Sequence, residues 1–251
     1  MLFAVPAQRF ERARLSAIER RLKNKFIAGG LKVRAGVFEG LMYPAFDSSG
    51  SCLFPKLIGT YELELQSLFR ELSSKGFEQV VDIGAAEGYY AVGFARMFPT
   101  ASVTAFDLDP IAREQCARMA VYNAVSNVSI KDQCTADLLK GVDVSKETLV
   151  LCDCEGGERE LFSDEVAAHM RTCHIIIELH DYVDRRLTGE LYRRFEQTHR
   201  VSLINSTPDN WKIVHNKSDV VSESDLMERR LAFSENRLEM MQWLIATPKL
   251  D

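Results

Sequence analysis

The sequence predicts an α/β protein: a doubly wound, mostly parallel sheet of seven strands, helices on both faces, and an N-terminal helical extension. Three observations lead there. From residue 78 onward, short apolar runs alternate with amphipathic stretches of about 10–15 residues, the rhythm of βαβ units. The runs in "EQVVDIGAA", "SVTAFDLD", "TLVLCD" and "HIIIELH" are nearly continuous in apolar residues, as strands covered on both sides require. The first of them ends on Gly84, with Gly88 four residues later, a glycine turn that joins a strand to a helix.

The elements follow in order. Residues 8–28 read as an amphipathic helix with Phe10, Ala13, Ala17, Ile18, Leu22 and Phe26 near one face, ended by Gly29 and Gly30. That face suits a core contact on its own domain, a homodimer partner, or a membrane surface or other partner. Residues 31–60 are punctuated by Gly, Pro and Ser and read as irregular. Thr60 is expected to cap a helix running through "YELELQSLFRELSSKG". The chain thus divides into a lead-in, 1–60, and a main domain, 61–251. In that domain "EGYYAVGFARM" is helical and stopped by Pro99. Asp109-Pro110 opens the next helix, with Pro at its first position. "VSIKDQ" is the third strand, and a helix "GERELFSDEVAAHM" follows the fourth. A further helix, "RLTGELYRRFEQTH", follows the fifth, and "RVSLIN" with "MQWLIATP" form a closing pair.

Composition narrows the function. The chain has 251 residues, 46% hydrophobic and 27% charged, with net charge −5. This is an ordinary globular composition without the general basic footprint of a nucleic-acid binder. Residues 1–25 carry seven Arg/Lys and two Glu, so +5, which leaves −10 on the rest. Six cysteines show neither Cys-x-x-Cys nor zinc spacing, and reduced thiols suit a cytoplasmic protein. The start lacks the pattern of a signal peptide, and no apolar run suits stable membrane insertion.

The glycine turn, "VVDIGAAEGYY", places Asp82 and Gly84 at a strand end and Gly88 at a helix start, whose N–H groups suit an anionic ligand end. Its spacing is not that of a dinucleotide or P-loop site. Asp107 ends the second strand 23 residues after Gly84, close to the offset of about 20 at which an acid holds a ribose diol. The alternative is that Asp107 and Asp109 only cap the next helix.

Asp82-x-Gly84-x-x-x-Gly88 with Asp107 resembles the class I methyltransferases that bind S-adenosylmethionine. The resemblance implies the Rossmann-like methyltransferase fold. It implies that Asp82, Gly84, Ala85 and Gly88 cradle the methionine part, and that Asp107 with Leu108 meets the ribose and its surroundings. Cys134 stands where many such proteins carry an Asp facing adenine; Asp132, Thr135 or a backbone group are the other candidates. Tyr61 and Glu62, before the first strand, would lie over the methionine end, or else serve only as helix N-terminal residues. "VTAFDLDP", "LVLCDCEGGERELF" and "IIIELHD" resemble the FkbM-like O-methyltransferases more narrowly.

Methylation of a hydroxyl needs the oxygen aligned with the methyl group and its proton removed, by a base or by a cation that lowers its pKa. Asp153 and Glu155 follow the fourth strand; Glu178, His180 and Asp181 end the fifth. His180 is the expected general base; Asp153, the second expected catalytic residue, would orient the acceptor, contact the methyl end of the cofactor or ligate a metal. Asp153, Glu178 and His180 are the candidates for Mg²⁺ or another divalent cation. The expected function is methyl transfer to a hydroxyl of a small molecule or glycan. The alternatives are an N- or carboxyl-methyltransferase, or a non-catalytic cofactor-binding scaffold that uses the basic N-terminal helix. The two cysteines flanking Asp153, Cys152 and Cys154, share one side of a strand and read as apolar filling rather than a metal or redox pair.

Overall fold

A computed structural model describes residues 4–223, 225–237 and 239–249, with side chains described from Arg14 onward. In chain order the elements are α1 (Ala4–Ala28), α2 (Leu53–Ile58), a 3-10 turn (Leu63–Leu65), α3 (Gln66–Leu72), β1 (Gln79–Ile83), α4 (Tyr89–Met97), β2 (Ser102–Phe106), α5 (Pro110–Tyr122), β3 (Val128–Lys131), α6 (Ala136–Lys140), β4 (Thr148–Cys152), α7 (Glu158–Leu161), α8 (Asp164–His169), β5 (His174–Leu179), α9 (Leu187–Phe195), β6 (His199–Asn205), α10 (Asp209–His215), α11 (Leu226–Phe233) and β7 (Gln242–Pro248). They form two compact units. One joins Met1–Leu63 to Thr207–Leu238, and the other joins Glu64–Ser206 to Glu239–Asp251. The segment between β6 and β7, which the sequence puts inside the 61–251 domain, thus groups with the N-terminal lead-in.

The second unit holds a seven-stranded sheet in the order β3-β2-β1-β4-β5-β7-β6. All neighbours are parallel except β7, which runs antiparallel to β5 and β6. The central strands β4 and β5 are wholly buried. Val81, Ile83, Val150, Cys152, Ile175 and Ile177 face one side and pack with residues of α8 and α9. The alternate residues Val80, Leu149, Leu151 and Ile176 are buried as well, and α4 packs against β1 and β2. Both faces are therefore covered, and burial on both faces explains the unbroken apolar runs. The edge strands β3 and β6 differ: their exposure is interrupted, because each has a neighbour on one side only.

Local chemistry sets the helix boundaries. Asp109 accepts from Ile111 N–H at 2.9 Å, and Pro110 takes the first helical position of α5. The single helix expected after β4 is two. Phe162 leaves helical geometry at the end of α7, and Ser163 caps α8 through Val166 N–H at 3.3 Å. Thr60 does not start a helix. Gly59, left-handed at φ 90°, ends α2, and Thr60 N–H closes back onto Pro55 O, so helical geometry resumes only at Leu63.

In the first unit α1 buries Ile18, Leu22 and Phe26 and packs on α11. Arg21 bridges to Asp225 and Glu228, and Lys25 to Glu228. For this stretch the apolar face is a core face of the chain itself, although Ala17 is exposed; Phe10 and Ala13 lie outside the described side chains. Among the described residues no helix is long and apolar enough to cross a membrane.

Candidate active site at the strand ends

The strand order reverses between β1 and β4, and ligands of open α/β sheets bind beyond the carboxyl ends of the strands at such a reversal. Three backbone positions shape the first turn: Gly84, Ala86 and Gly88 all have positive φ, 84°, 47° and 94°. Gly84 and Ala85 both donate to Phe106 O at 2.9 Å, which hooks the turn onto the end of β2. A Cβ on Gly84 would lie 1.6 Å from the carbonyl oxygen of Asp153. Glycine is needed there because the ends of β1 and β4 touch; Asp153 N–H in turn donates to Ile83 O at 2.8 Å. Gly88 also serves packing. Its missing side chain makes room for Cys116 of α5, whose Sγ would be 2.8 Å away.

Asp107 is not idle beyond its strand. Its Oδ2 accepts from Ala86 N–H and its Oδ1 from Asp109 N–H, each at 2.8 Å. A carboxylate oxygen has two lone pairs, so one on each oxygen remains for a ligand. Leu108 and Ile111 beside it are strongly exposed apolar residues. Asp82 and Ala85 are buried. Cys134 is buried below the third strand end, and burial pushes its thiol up to about 12, so it stays neutral. Thr135 caps α6 through Leu138 N–H, and Asp132 accepts from Gln133 N–H. Tyr61 and Glu62 belong to the other unit. Within it the Lys56 ammonium lies 4.8 Å from the Tyr61 ring centroid, and Glu62 pairs with Arg237 at 3.2 Å.

The second feature of the sheet unit is a cluster of acids around His180. The register of β4 against β5 pairs Cys152 with Ile177, so Asp153, the first residue past β4, comes level with Glu178, which is still within β5. After β4 the chain turns through two left-handed residues, Glu155 (φ 57°) and Gly156 (φ 118°), into α7. Glu158 is thereby buried completely, and its Oε1 lies 2.6 Å from His180 Nδ1. Gly156 N–H also donates to Glu158 Oε1, at 3.1 Å. The other imidazole nitrogen, Nε2, faces Asp153 Oδ1 and Glu155 Oε2, both at 3.5 Å, and Glu178 Oε2 at 3.6 Å. The His180 side chain is only 2% exposed.

The electrostatics follow from this arrangement. Burial pulls the His180 pKa down, but the Glu158 hydrogen bond and charge, with Glu178 and Glu155, outweigh it and raise the imidazole above its ordinary value. Burial pushes Glu158 up; the hydrogen bonds from His180 and from backbone N–H groups outweigh that and hold it low. Tyr182 donates to Glu155 at 2.7 Å, and this bond is the main reason its phenol is pushed up to about 12.

His180, Asp153 and Glu178 are thus brought together, with two adjustments. Asp181, expected to join them, instead binds the Thr188 N–H and hydroxyl at the start of α9. Glu158, whose place at a helix start suggests only a favourable dipole contact, takes the contact with His180. Its signal in the sequence is its position as the last acid of "DCEGGE". Cys152 is fully buried in the core and Cys154 packs against it, with Sγ atoms 3.6 Å apart and no disulfide.

No protein-family model matches the chain, and no curated protein matches it. Solved structures do. A cofactor-bound protein of MTB, Rv0187, superposes with a TM-score of 0.52 over 74% of this chain and 79% of its own, at 12% identity. The strand order with its antiparallel β7 is that of the Rossmann-like methyltransferase fold. Further similar structures are the O-methyltransferase TomG of Streptomyces achromogenes in complex with SAM (TM-score 0.48, 12% identity, 77% of this chain and 83% of that one) and a precorrin-6y C5,15-methyltransferase of Geobacter metallireducens (0.46, 12%, 73% and 88%). At such identities the likeness is one of fold.

Proposed function

We propose that this chain is an S-adenosylmethionine-dependent methyltransferase whose acceptor atom is a hydroxyl oxygen, on a small molecule or a glycan. The observation that carries the cofactor is Asp107. Its carboxylate is held by two backbone N–H groups at the β2 end, beside a glycine turn, with one lone pair per oxygen left for a ribose diol. The exposed Leu108 and Ile111 would offer an apolar face to the adenine, next to the neutral Cys134. Bound there, S-adenosylmethionine supplies a methyl group already activated on sulfonium. The chain then has to orient the acceptor and deal with its proton. The Asp153–Glu155–His180 cluster suits both tasks: it adjoins the glycine turn through the Asp153 backbone, and it gathers carboxylates and an imidazole, groups able to take up the proton a hydroxyl must lose. "LCDCEGGE" and "IELHD", the segments that resemble the FkbM-like enzymes, supply this cluster, which supports the oxygen-methylating reading over the nitrogen one.

Titration calorimetry with S-adenosylhomocysteine tests the cofactor half. One equivalent should bind, and Asp107→Ala should weaken binding about tenfold or more, the worth of a lost charge-assisted hydrogen bond. A folded chain that takes up neither S-adenosylmethionine nor its product would overturn the proposal. Label transfer from S-adenosylmethionine to hydroxyl-bearing glycans and small molecules, set against amine analogues, tests the acceptor half.

A further inference from the structure

The arrangement around His180 Nε2 fits neither protonation state of the ring by itself. With Nδ1–H bonded to Glu158 at 2.6 Å, a neutral ring points its Nε2 lone pair at three carboxylate oxygens, which is repulsive. A doubly protonated ring would donate from Nε2, yet the oxygens stand at 3.5, 3.5 and 3.6 Å, beyond the roughly 2.7–2.9 Å of a charged N–H···O bond. The ring has almost no exposure through which water could reach it from behind.

One cation between these atoms removes the conflict. Ligand atoms of Asp153, Glu155 and His180 all lie within 4.8 Å of one another. Neighbouring ligands on an ion with bonds of about 2.1–2.4 Å are separated by roughly 3.0–3.5 Å, and opposite ones by roughly 4.2–4.8 Å. The remaining nitrogen is bonded to a buried carboxylate that is not itself a ligand, the outer partner that metal-bound histidines almost always have. This partner is independent of the ligand set: it fixes the tautomer that leaves Nε2 bare.

We infer that Asp153, Glu155 and His180 form a binding site for a divalent metal ion, with Glu158 orienting His180 from behind. Two carboxylates and an imidazole favour a first-row ion such as Mn²⁺ over Ca²⁺, which prefers oxygen alone. Glu178, expected as a ligand, flanks the set at 3.6 Å from Nε2. The catalytic meaning rests on the methyltransferase reading: an ion at this place would bind the acceptor oxygen and lower its pKa. The binding does not rest on it.

The test is a titration of the full chain with Mn²⁺, followed by the loss of the free-ion electron paramagnetic resonance signal, without cofactor or acceptor. One ion per chain should bind. Glu155→Gln and Asp153→Asn should each weaken binding at least tenfold, and Glu158→Gln, which touches no ion, should weaken it by about 10–100-fold. Glu155 is 71% exposed, so its variant keeps the fold even if others do not. No bound ion at about 1 mM Mn²⁺, or equal binding by wild type and Glu155→Gln, overturns the inference. S-adenosylhomocysteine binding on the same samples separates the two proposals. Cofactor without ion sinks only this one, and ion without cofactor sinks only the methyltransferase reading.

Discussion

Each unit of the chain buries a cluster of charges, and the two are built on different plans. In the first unit Lys212 and Arg237 meet Glu235 and Glu62. Arg237 Nε lies 2.9 Å from Glu235, its terminal nitrogen 3.2 Å from Glu62, and Lys212 binds Glu235 directly. Two cations serve two carboxylates at contact distance, and Glu62 N–H adds a bond to Glu235 at 2.9 Å. In the second unit one imidazole serves four carboxylates, and only one of the four, Glu158, is at contact distance. A paired cluster offsets its own desolvation and can close, whereas four carboxylates around one imidazole leave an excess of negative charge, which suits a cation. The first reads as architecture tying residues 62, 212 and 235–237 together, and the second as a site.

If so, removing a cation from the first cluster should hurt folding most. Lys212 has no exposure, and Lys212→Met would take from the buried Glu235 one of its two cations, leaving it Arg237 and the Glu62 N–H. Breaking a buried pair in this way costs about 3–5 kcal/mol. Urea unfolding should show that loss, and a midpoint near wild type would mean that the cluster is not structural. Acid provides the next largest effect, and it comes from neither cluster. His174, at the start of β5, is buried edge-on to Phe77, and burial lowers its pKa to about 4. The unfolded chain therefore binds this proton at higher pH than the folded one. Its stabilising contribution is present above about pH 6.5 and is lost as pH falls towards 4, up to about 3 kcal/mol in all. Melting curves of wild type and His174→Gln across that window check it: the variant should lose much of the slope.

Much of this was legible in the sequence, for identifiable reasons. The central strands were clear because burial on both faces demands continuous apolar residues, and Asp109-Pro110 was clear because a cap is a local event. The grouping of residues 207–238 with 1–63 was not, since contacts such as Arg21 to Glu228 join positions far apart and leave no periodic trace. Gly84 was visible as a special position, but its cause, the Asp153 carbonyl just past the end of the neighbouring strand, was not. Glu158 and Asp181 show the same limit. Both are acids beside expected site residues, and only the turn through Glu155 and Gly156 and the start of α9 decide which one reaches the imidazole.

Within the second cluster, effects on stability should decrease outward while effects on the site do not. Glu158→Gln removes a charged, buried hydrogen bond and should cost about 1–3 kcal/mol. Glu155→Gln comes last. That side chain is 71% exposed, its bond from Tyr182 can be kept by an amide oxygen, and a surface change of this kind stays within about 0.5 kcal/mol. A residue in a left-handed turn with so little to contribute to folding is nevertheless aimed at Nε2. Thermal unfolding unchanged within error, together with at least a tenfold loss of methyl transfer, would show that its position serves the site. Unchanged transfer would remove Glu155 from the site and leave the acids around His180 as a feature of the fold.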